Sequence, residues 1–136
     1  MDFHVGAITR SHSDLDLAVW VRDVDRVATL LRGSGWTHVP EDSPPGSTAF
    51  TRGTVRVELA ILQRDDASRE PYTPIGDGHR ATWATAAFGQ DIRSLGGVRA
   101  RVITLSALRE EKSGPRDDPA AEAKDCQDLE TLKRLG

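Results

Sequence analysis

The stretch Thr9–Val21, TRSHSDLDLAVWV, alternates polar and apolar residues with the two-residue period of a β-strand, yet it contains Asp14 and Asp16. Aspartate is a poor strand former, and a carboxylate inside a sheet is costly unless it is paired or bound to a cation. We expect an apolar face that packs against helices and an open face that carries the aspartates. Because side chains alternate along a strand, these faces are Leu15, Leu17, Val19 and Val21, and Asp14, Asp16, Ala18 and Trp20.

The stretch Val55–Gln63, VRVELAILQ, repeats this arrangement, because Arg56 and Glu58 fall on the face opposite its regularly spaced valines, leucine and isoleucine. If the two strands are neighbours, Glu58 joins Asp14 and Asp16. Residues two apart on a strand are separated by roughly 6.6 Å. Carboxylates this close repel, and they are stable together when a divalent cation lies between them.

The three carboxylates indicate metal-assisted chemistry. Oxygen ligands with no histidine or cysteine nearby favour Mg²⁺ or Mn²⁺ over zinc. In two-metal nucleotidyl or phosphoryl transfer, Asp14 and Asp16 would hold the metals, and Glu58 would ligate one metal or take the proton from the attacking hydroxyl. Asp-x-Asp alone, or Glu58 alone, is also typical of solvated strand residues, but matching positions on two strands favour the metal site.

The composition is that of a globular protein, with 38% hydrophobic and 29% charged residues, and the length of 136 residues predicts a single domain over 1–136. The net charge of −3 gives no electrostatic reason to expect nucleic acid as a partner. The single cysteine, Cys126, excludes an intrachain disulfide and suits a cytoplasmic protein. No apolar run approaches the ~18 residues of a membrane span, so we expect no membrane partner.

The remaining pattern predicts an α+β fold, a mixed β-sheet with helices on one face and further helices at the C-terminus. Residues 79–88 are ambiguous. The predicted elements are a helix over 23–35, strands over 36–40, 48–53 and 98–104, loops over 41–47 and 64–78, a helix over 107–113 capped by Ser106, and a last helix from about 119 to 135.

Gly6–Val19, read as G-x-x-T-R-x-H-S-D-L-D-L-A-V, resembles the metal-binding strand of the nucleotidyltransferase superfamily, the DNA polymerase beta-like proteins. The closest likeness is to the aminoglycoside and lincosamide nucleotidyltransferases. It continues through VRVELAIL (55–62), GGVRARVITLSALREEKSG (96–114) and KDCQDLETL (124–132), so that it covers most of the chain. The first block is the most specific of these matches.

The resemblance implies Mg²⁺-dependent transfer of a nucleoside monophosphate, usually AMP from ATP, to a hydroxyl of a small molecule. The acidic balance of the chain would suit a cationic acceptor of the aminoglycoside type. By resemblance, Asp14 and Asp16 are the Mg²⁺ ligands, Glu58 is the third carboxylate and candidate general base, and Arg10 meets phosphate oxygens. The further candidates for contact with the triphosphate are Lys112, Arg116 and Lys124.

One departure concerns the segment before the metal strand. These enzymes normally carry a Gly-Gly or Gly-Ser pair there, which cradles the triphosphate through backbone N–H groups. Here the chain opens MDFHVG, which resembles the end of the helix that follows the pair, and the pair itself is absent. We therefore expect a weaker hold on the triphosphate and an uncovered apolar surface around Leu15 and Leu17, which favours a homodimer.

Two other functions stay open. A degenerate, non-catalytic nucleotide- or partner-binding module of the same fold agrees with the absent glycine pair, whereas the retained carboxylates argue against it. A transferase that acts on tRNA or protein, as in some toxins, is a weaker alternative, and the missing basic patch counts against tRNA.

Asp125 and Asp128 fall on the same side of the last predicted helix as three leucines. Charges on a packing face usually have partners, and Lys112 and Arg116, just upstream, are the candidates. We therefore favour a salt-bridged helix junction over a direct catalytic role for these aspartates.

Overall fold

The computed structural model describes residues 1–40, 43–84 and 86–135, which divide into two compact units. The sheet unit is His12–Trp83. The helical unit combines Met1–Ser11 with the chain from Ala84 onward. Helices and a mixed sheet are both present, which confirms the predicted α+β class.

In chain order the elements are α1 (Asp2–Val5), β1 (Asp14–Trp20), α2 (Val24–Gly33), β2 (Thr37–His38), β3 (Ser47–Arg52), β4 (Val55–Arg64), β5 (Pro71–Gly76), β6 (His79–Thr82), β7 (Ile92–Leu95), β8 (Val98–Arg101), α3 (Leu105–Ser113) and α4 (Pro119–Lys133). The elements that were predicted occur in the predicted order, and β5, β6 and β7 are additional to them. A 3-10 turn joins β1 to α2. The predictions for residues 41, 42 and 85 fall outside the described residues.

The six strands of the sheet unit form one mixed sheet in the order β2-β3-β4-β5-β6, with β1 paired to β4. β1 runs parallel to β4, whereas β3 runs antiparallel to it. The β1 ladder begins where the backbone N–H of Arg56 donates to the carbonyl of Ser13 at 3.4 Å. Residues 9–13, predicted as strand, lie outside it because β4 begins only at Val55, after the turn at Gly53.

One face of the sheet forms the core with α2. Buried apolar side chains of β1, β3 and β4 meet Ala28 of α2 there, and partly buried residues pack around them. The cluster comprises Val19, Ala28, Phe50, Val57 and Leu59, surrounded by Val24, Val27, Leu31 and Trp36. α2 is amphipathic, so burial of its apolar side against the sheet stabilises both elements.

The leucine face of β1 is only partly covered. Val19 is buried, but Leu15 and Leu17 keep 48% and 37% of their surface exposed, and Val21 leaves the strand for the 3-10 turn. The expected packing against helices is therefore wrong for the first half of the strand. The reason is that β1 pairs with β4 alone among the described strands, while α2 packs on a cluster centred on β3 and β4.

The predicted surface loop over 64–78 is wrong in its second half. β5 and β6 form an antiparallel hairpin across Asp77 and Gly78, whose φ angles are 49° and 75°. Two positive φ angles are what a two-residue type I′ hairpin turn requires, and Asp-Gly is a strong signal for it. Pro71 and Pro74 obscured the strand, because proline donates no hydrogen bond to a ladder.

The helical unit contains the hairpin β7–β8, which turns at Gly96–Gly97, and the helices α3 and α4. β7 was not predicted, and the strand predicted over 98–104 ends at Arg101. α3 is capped by Thr104, whose Oγ1 accepts from the N–H of Ala107 at 3.4 Å, so the predicted cap Ser106 is wrong by two residues. No helix of the described residues is long and apolar enough to cross a membrane.

Candidate active site

Asp14, Asp16, Arg56 and Glu58 form what we call the carboxylate face of the sheet unit. Parallel pairing of β1 with β4 sets Asp14 opposite Arg56 and Asp16 opposite Glu58. Paired residues of neighbouring strands project to the same side of a sheet. The structure therefore brings the three predicted carboxylates onto one face, together with a guanidinium, on the side away from α2.

The members of the carboxylate face differ in exposure. Asp14 and Asp16 are exposed on β1, whereas Glu58 lies further into the sheet, between Asp16 and the fully buried Ala49 of β3. The Glu58 side chain is 27% exposed, and Arg56 Nη2 lies 3.4 Å from its Oε2. This ion pair is long and solvent-accessible, so it contributes little stability. Arg56 thus supplies a partial countercharge to a face that carries three acidic groups.

The donor set fits a hard divalent cation, because carboxylate oxygens are the ligands that Mg²⁺ and Mn²⁺ prefer. In the described ranges no three His, Cys, Asp or Glu residues are grouped closely enough to hold a metal ion. The expected tight cluster of Asp14, Asp16 and Glu58 is therefore not formed. The register keeps the three on one face, while the Glu58 carboxylate is engaged by Arg56.

The four basic residues predicted to contact the triphosphate all belong to the helical unit. Arg10, Lys112 and Arg116 are engaged there by Asp125 and Asp128, which are 5% and 1% exposed. We call these five residues the helix-junction network. The predicted partnership of Lys112 and Arg116 with the two aspartates is confirmed, whereas Lys124 is exposed.

The contacts of the helix-junction network are short and numerous. Arg10 binds Asp128 with two hydrogen bonds, from Nε at 3.1 Å and from Nη2 at 3.2 Å. Lys112 Nζ donates to Asp125 Oδ1 at 2.7 Å and lies 3.3 Å from Asp128 Oδ2. Arg116 Nε donates to the other oxygen of Asp125 at 2.5 Å. Each buried aspartate therefore has two cationic partners.

These partners keep the network charged. Burial by itself raises the pKa of Asp128, but the hydrogen bond and charge of Arg10, with Lys112, outweigh it and lower the pKa. The pKa of Asp125 is lowered in the same way, since Lys112 and Arg116 outweigh its burial. Burial lowers the pKa of Lys112, but Asp125, together with Glu111 and Asp128, raises it overall. The network is a junction in which three cationic side chains surround two buried carboxylates.

Two features of these sites escaped the sequence analysis. The position of Arg56 on the carboxylate face was evident from its spacing to Glu58, but its role as countercharge was not considered. The pairing of Arg10 with Asp128 joins residues 118 positions apart, and no local pattern signals it.

No protein-family model and no curated protein matches this chain. Solved structures do match it. The lincosamide antibiotic adenylyltransferase LnuA, solved with lincomycin bound, superposes with a TM-score of 0.74 at 15% identity, over 99% of this chain and 81% of that chain.

The antibiotic-resistance factor ANT(2'')-Ia matches in two structures. Its solution structure gives a TM-score of 0.63 at 15% identity, over 98% of this chain and 74% of that chain. Its crystal structure with adenylyl-2''-tobramycin gives 0.64 at 16% identity, over 98% of this chain and 78% of that chain. The chain therefore has the fold of the lincosamide and aminoglycoside nucleotidyltransferases, as the resemblance predicted.

Proposed function

We propose that this protein is a nucleotidyltransferase that moves a nucleoside monophosphate, AMP from ATP, onto a hydroxyl of a small molecule with the help of Mg²⁺ or Mn²⁺. The observation that carries the proposal is the parallel register of β1 and β4, in which Asp16 pairs with Glu58 and Asp14 lies two residues away on the same face. The fold shared with LnuA, an adenylyltransferase, and with ANT(2'')-Ia, solved with an adenylylated antibiotic, supports this reaction class.

In this proposal Asp14 and Asp16 hold the divalent cation, and Glu58 joins them or accepts the proton of the attacking hydroxyl. The cation, when bound, neutralises charge that develops on the phosphate oxygens. Because Arg56 engages Glu58 at 3.4 Å, Glu58 must exchange one positive partner for another when the cation binds. The pair is accessible and long, so this exchange costs little.

The triphosphate contacts of Arg10, Lys112, Arg116 and Lys124 remain part of the proposal. The first three are shared with Asp125 and Asp128, so a phosphate that takes them over disrupts a buried network. Lys124 is exposed and carries no such cost.

Calorimetric titration with a non-hydrolysable ATP analogue, with and without Mg²⁺, tests the proposal. We expect Mg²⁺-dependent binding that Asp16→Asn abolishes and that Asp25→Asn, an exposed aspartate of α2, preserves. Binding that ignores Mg²⁺, or that Asp16→Asn leaves intact, contradicts the metal site. A screen of hydroxyl acceptors for pyrophosphate release then separates the enzyme from a non-catalytic nucleotide-binding module, which binds the analogue and releases nothing.

A homodimer is a further part of the proposal. Leu15, Leu17 and Val55 share the α2 side of the sheet and are 48%, 37% and 51% exposed. Adjacent exposed apolar side chains favour association. Light scattering at several protein concentrations tests this, with Leu17→Asn expected to shift the protein toward the monomer.

A further inference from the structure

A cleft of about 480 Å³ opens in the sheet unit beyond the carboxylate face. Trp20 of β1 and Leu62 of β4 line it, and they are paired in the same ladder that pairs Asp16 with Glu58. Trp20 is four positions from Asp16 on β1, and Leu62 is four positions from Glu58 on β4. Because side chains alternate along a strand, all four project to the same side of the sheet. The cleft and the carboxylate face are therefore two ends of one surface.

Only small side chains lie on the sheet between the cleft and the carboxylate face. Ala18 and Ala60 pair with each other between the carboxylates and the cleft, and Ser47 of β3 pairs with Ala60 from the other side. Asp16 and Trp20 are four positions apart on the strand, a distance of about 13 Å. A small molecule lying along this floor reaches the carboxylate face with one end and the cleft with the other.

The cleft carries an excess of positive charge, since Arg22, Arg64 and Arg69 line it with one carboxylate, Asp66. The Arg64 guanidinium lies 4.7 Å from the centre of the Trp20 ring, and its Nη1 donates to the carbonyl of Arg69 at 2.9 Å. These two contacts place the guanidinium of Arg64, an exposed residue, beside the Trp20 ring.

The arginines of the cleft are largely uncompensated. In the described ranges neither Arg64 nor Arg69 forms an ion pair with a carboxylate, whereas Arg22 lies 3.7 Å from Asp23. A planar guanidinium held in place is suited to bind a carboxylate or phosphate through two parallel hydrogen bonds. Leu62, only 1% exposed, gives the cleft an apolar floor beside the Trp20 ring. The site is chemically matched to an oxyanion attached to an apolar or aromatic group.

We propose that this cleft binds a carboxylate or phosphate group of the acceptor, an inference that rests on the proposed nucleotidyl transfer. The acceptor is then a small molecule whose oxyanion lies about 10–13 Å from the hydroxyl that is modified, as the strand spacing requires. A polycationic acceptor, which the net charge of the whole chain would suit, is repelled by the arginines of the cleft.

The test compares three probes that share a ring and differ in charge: phenyl phosphate, benzoate and benzylamine. Their binding is measured by titration of the intact protein followed by amide chemical shifts. We expect saturable binding of one or both anions, with shifts at Trp20 and Arg64, and no binding of benzylamine. The stronger of the two anions identifies the oxyanion as a phosphate or a carboxylate.

Substitutions sharpen the test. Arg64→Gln weakens anion binding about 10–100-fold, the effect of losing charged hydrogen bonds. Arg64→Lys keeps the positive charge but loses the planar guanidinium that donates two parallel hydrogen bonds, so it has an intermediate effect. Arg26→Gln removes the same charge from exposed α2 and leaves binding unchanged. If Arg64→Gln lowers the midpoint of thermal unfolding, weaker anion binding no longer separates a lost contact from a loss of folding. Anion binding is then measured in Arg69→Gln, because Arg69 lines the cleft and lies outside the β4 ladder.

The inference is overturned if benzylamine binds as tightly as the anions, if no probe saturates, or if Arg26→Gln weakens binding as much as Arg64→Gln. Asp16→Asn separates it from the proposed function. If the unaltered protein does not bind the ATP analogue with Mg²⁺, while the anion binds both this protein and Asp16→Asn, the cleft is supported and the transferase is refuted. Mg²⁺-dependent analogue binding without anion binding refutes the cleft alone.

Discussion

Two pairs of aspartates, one in each unit, show how surroundings decide what a carboxylate does. Asp125 and Asp128 of the helical unit are buried, and each has two cationic partners. Asp14 and Asp16 of the sheet unit are exposed, and the described part of their face adds another carboxylate, Glu58, and a single guanidinium. The first pair and its cationic partners connect α3, α4 and the N-terminal segment. The second pair lies on a face with excess negative charge, where the cation of the proposed function would bind.

The largest expected effect tests the chemistry of the exposed face. Glu58→Gln lowers the turnover of nucleotidyl transfer by about 100–10,000-fold if Glu58 takes the proton of the acceptor hydroxyl. Turnover is measured as pyrophosphate release at saturating Mg²⁺, and the dissociation constant of the ATP analogue is measured in parallel. Asp25→Asn is the control, since it removes an exposed carboxylate of α2 that lies outside the carboxylate face and leaves turnover per folded molecule within a few fold. Turnover of Glu58→Gln within threefold of the unaltered protein contradicts the role.

The next effect concerns stability, where we expect a large loss in the buried pair and none in the exposed pair. Asp128→Ala leaves Arg10 and Lys112 without a partner they share, and loss of one member of a buried ion pair costs about 3–5 kcal/mol. Asp16→Asn leaves the free energy of unfolding unchanged or raises it, because it removes like-charge repulsion in the metal-free protein. Denaturant unfolding of both variants measures the difference. Equal losses in the two variants would mean that the exposed aspartates are structural as well.

The same comparison shows what the sequence could predict. The strand pattern around Asp14 and Glu58 was sufficient to place both on one face, because a two-residue period determines the face once the strands are paired. The pairing itself and its parallel direction join segments about 40 residues apart, and no local pattern determines them. The buried state of Asp128 was visible from its helical spacing, but its contact with Arg10 came only from the tertiary structure.

The wrong predictions for the hairpin β5–β6 and for the cap of α3 also have physical causes. The hairpin at Asp77–Gly78 was predicted as a loop, since Pro71 and Pro74 make the strand before the turn look irregular. Thr104 and Ser106 are both acceptable caps by residue type, and the backbone decides between them, since Thr104 is extended and the helix begins at Leu105.

A smaller effect concerns the pH dependence of stability in the buried pair. The folded-state pKa values of Asp125 and Asp128 lie below the ordinary value near 3.9. A lowered pKa contributes stability that is fully present above the unfolded value and is lost as the pH falls below about 4 through the folded value. The difference in free energy of unfolding between the unaltered protein and Asp128→Asn should therefore narrow as the pH falls below about 4. Urea unfolding at a series of pH values measures this difference, and a constant difference contradicts the assignment.

The smallest effect concerns the countercharge of the exposed face. Arg56 touches Glu58 at 3.4 Å, and both side chains are about one-quarter exposed, at 26% and 27%. Such an accessible pair is worth about 0–1 kcal/mol, so Arg56→Gln barely changes the free energy of unfolding. It does leave Glu58 without this competitor, which we expect to tighten Mg²⁺ binding by a few fold when Mg²⁺ is titrated into the apo protein.

Arg52→Gln is the control for this last variant, because Arg52 of β3 lies over the Trp36 ring at 5.0 Å and is not part of the carboxylate face. It removes the same charge from the same sheet and should leave the Mg²⁺ affinity unchanged. Weaker Mg²⁺ binding in Arg56→Gln would mean that Arg56 positions Glu58 for the cation instead of competing with it. The sign of this small change thus determines whether the metal-free face is a resting state held by Arg56 or a site that Arg56 helps to build.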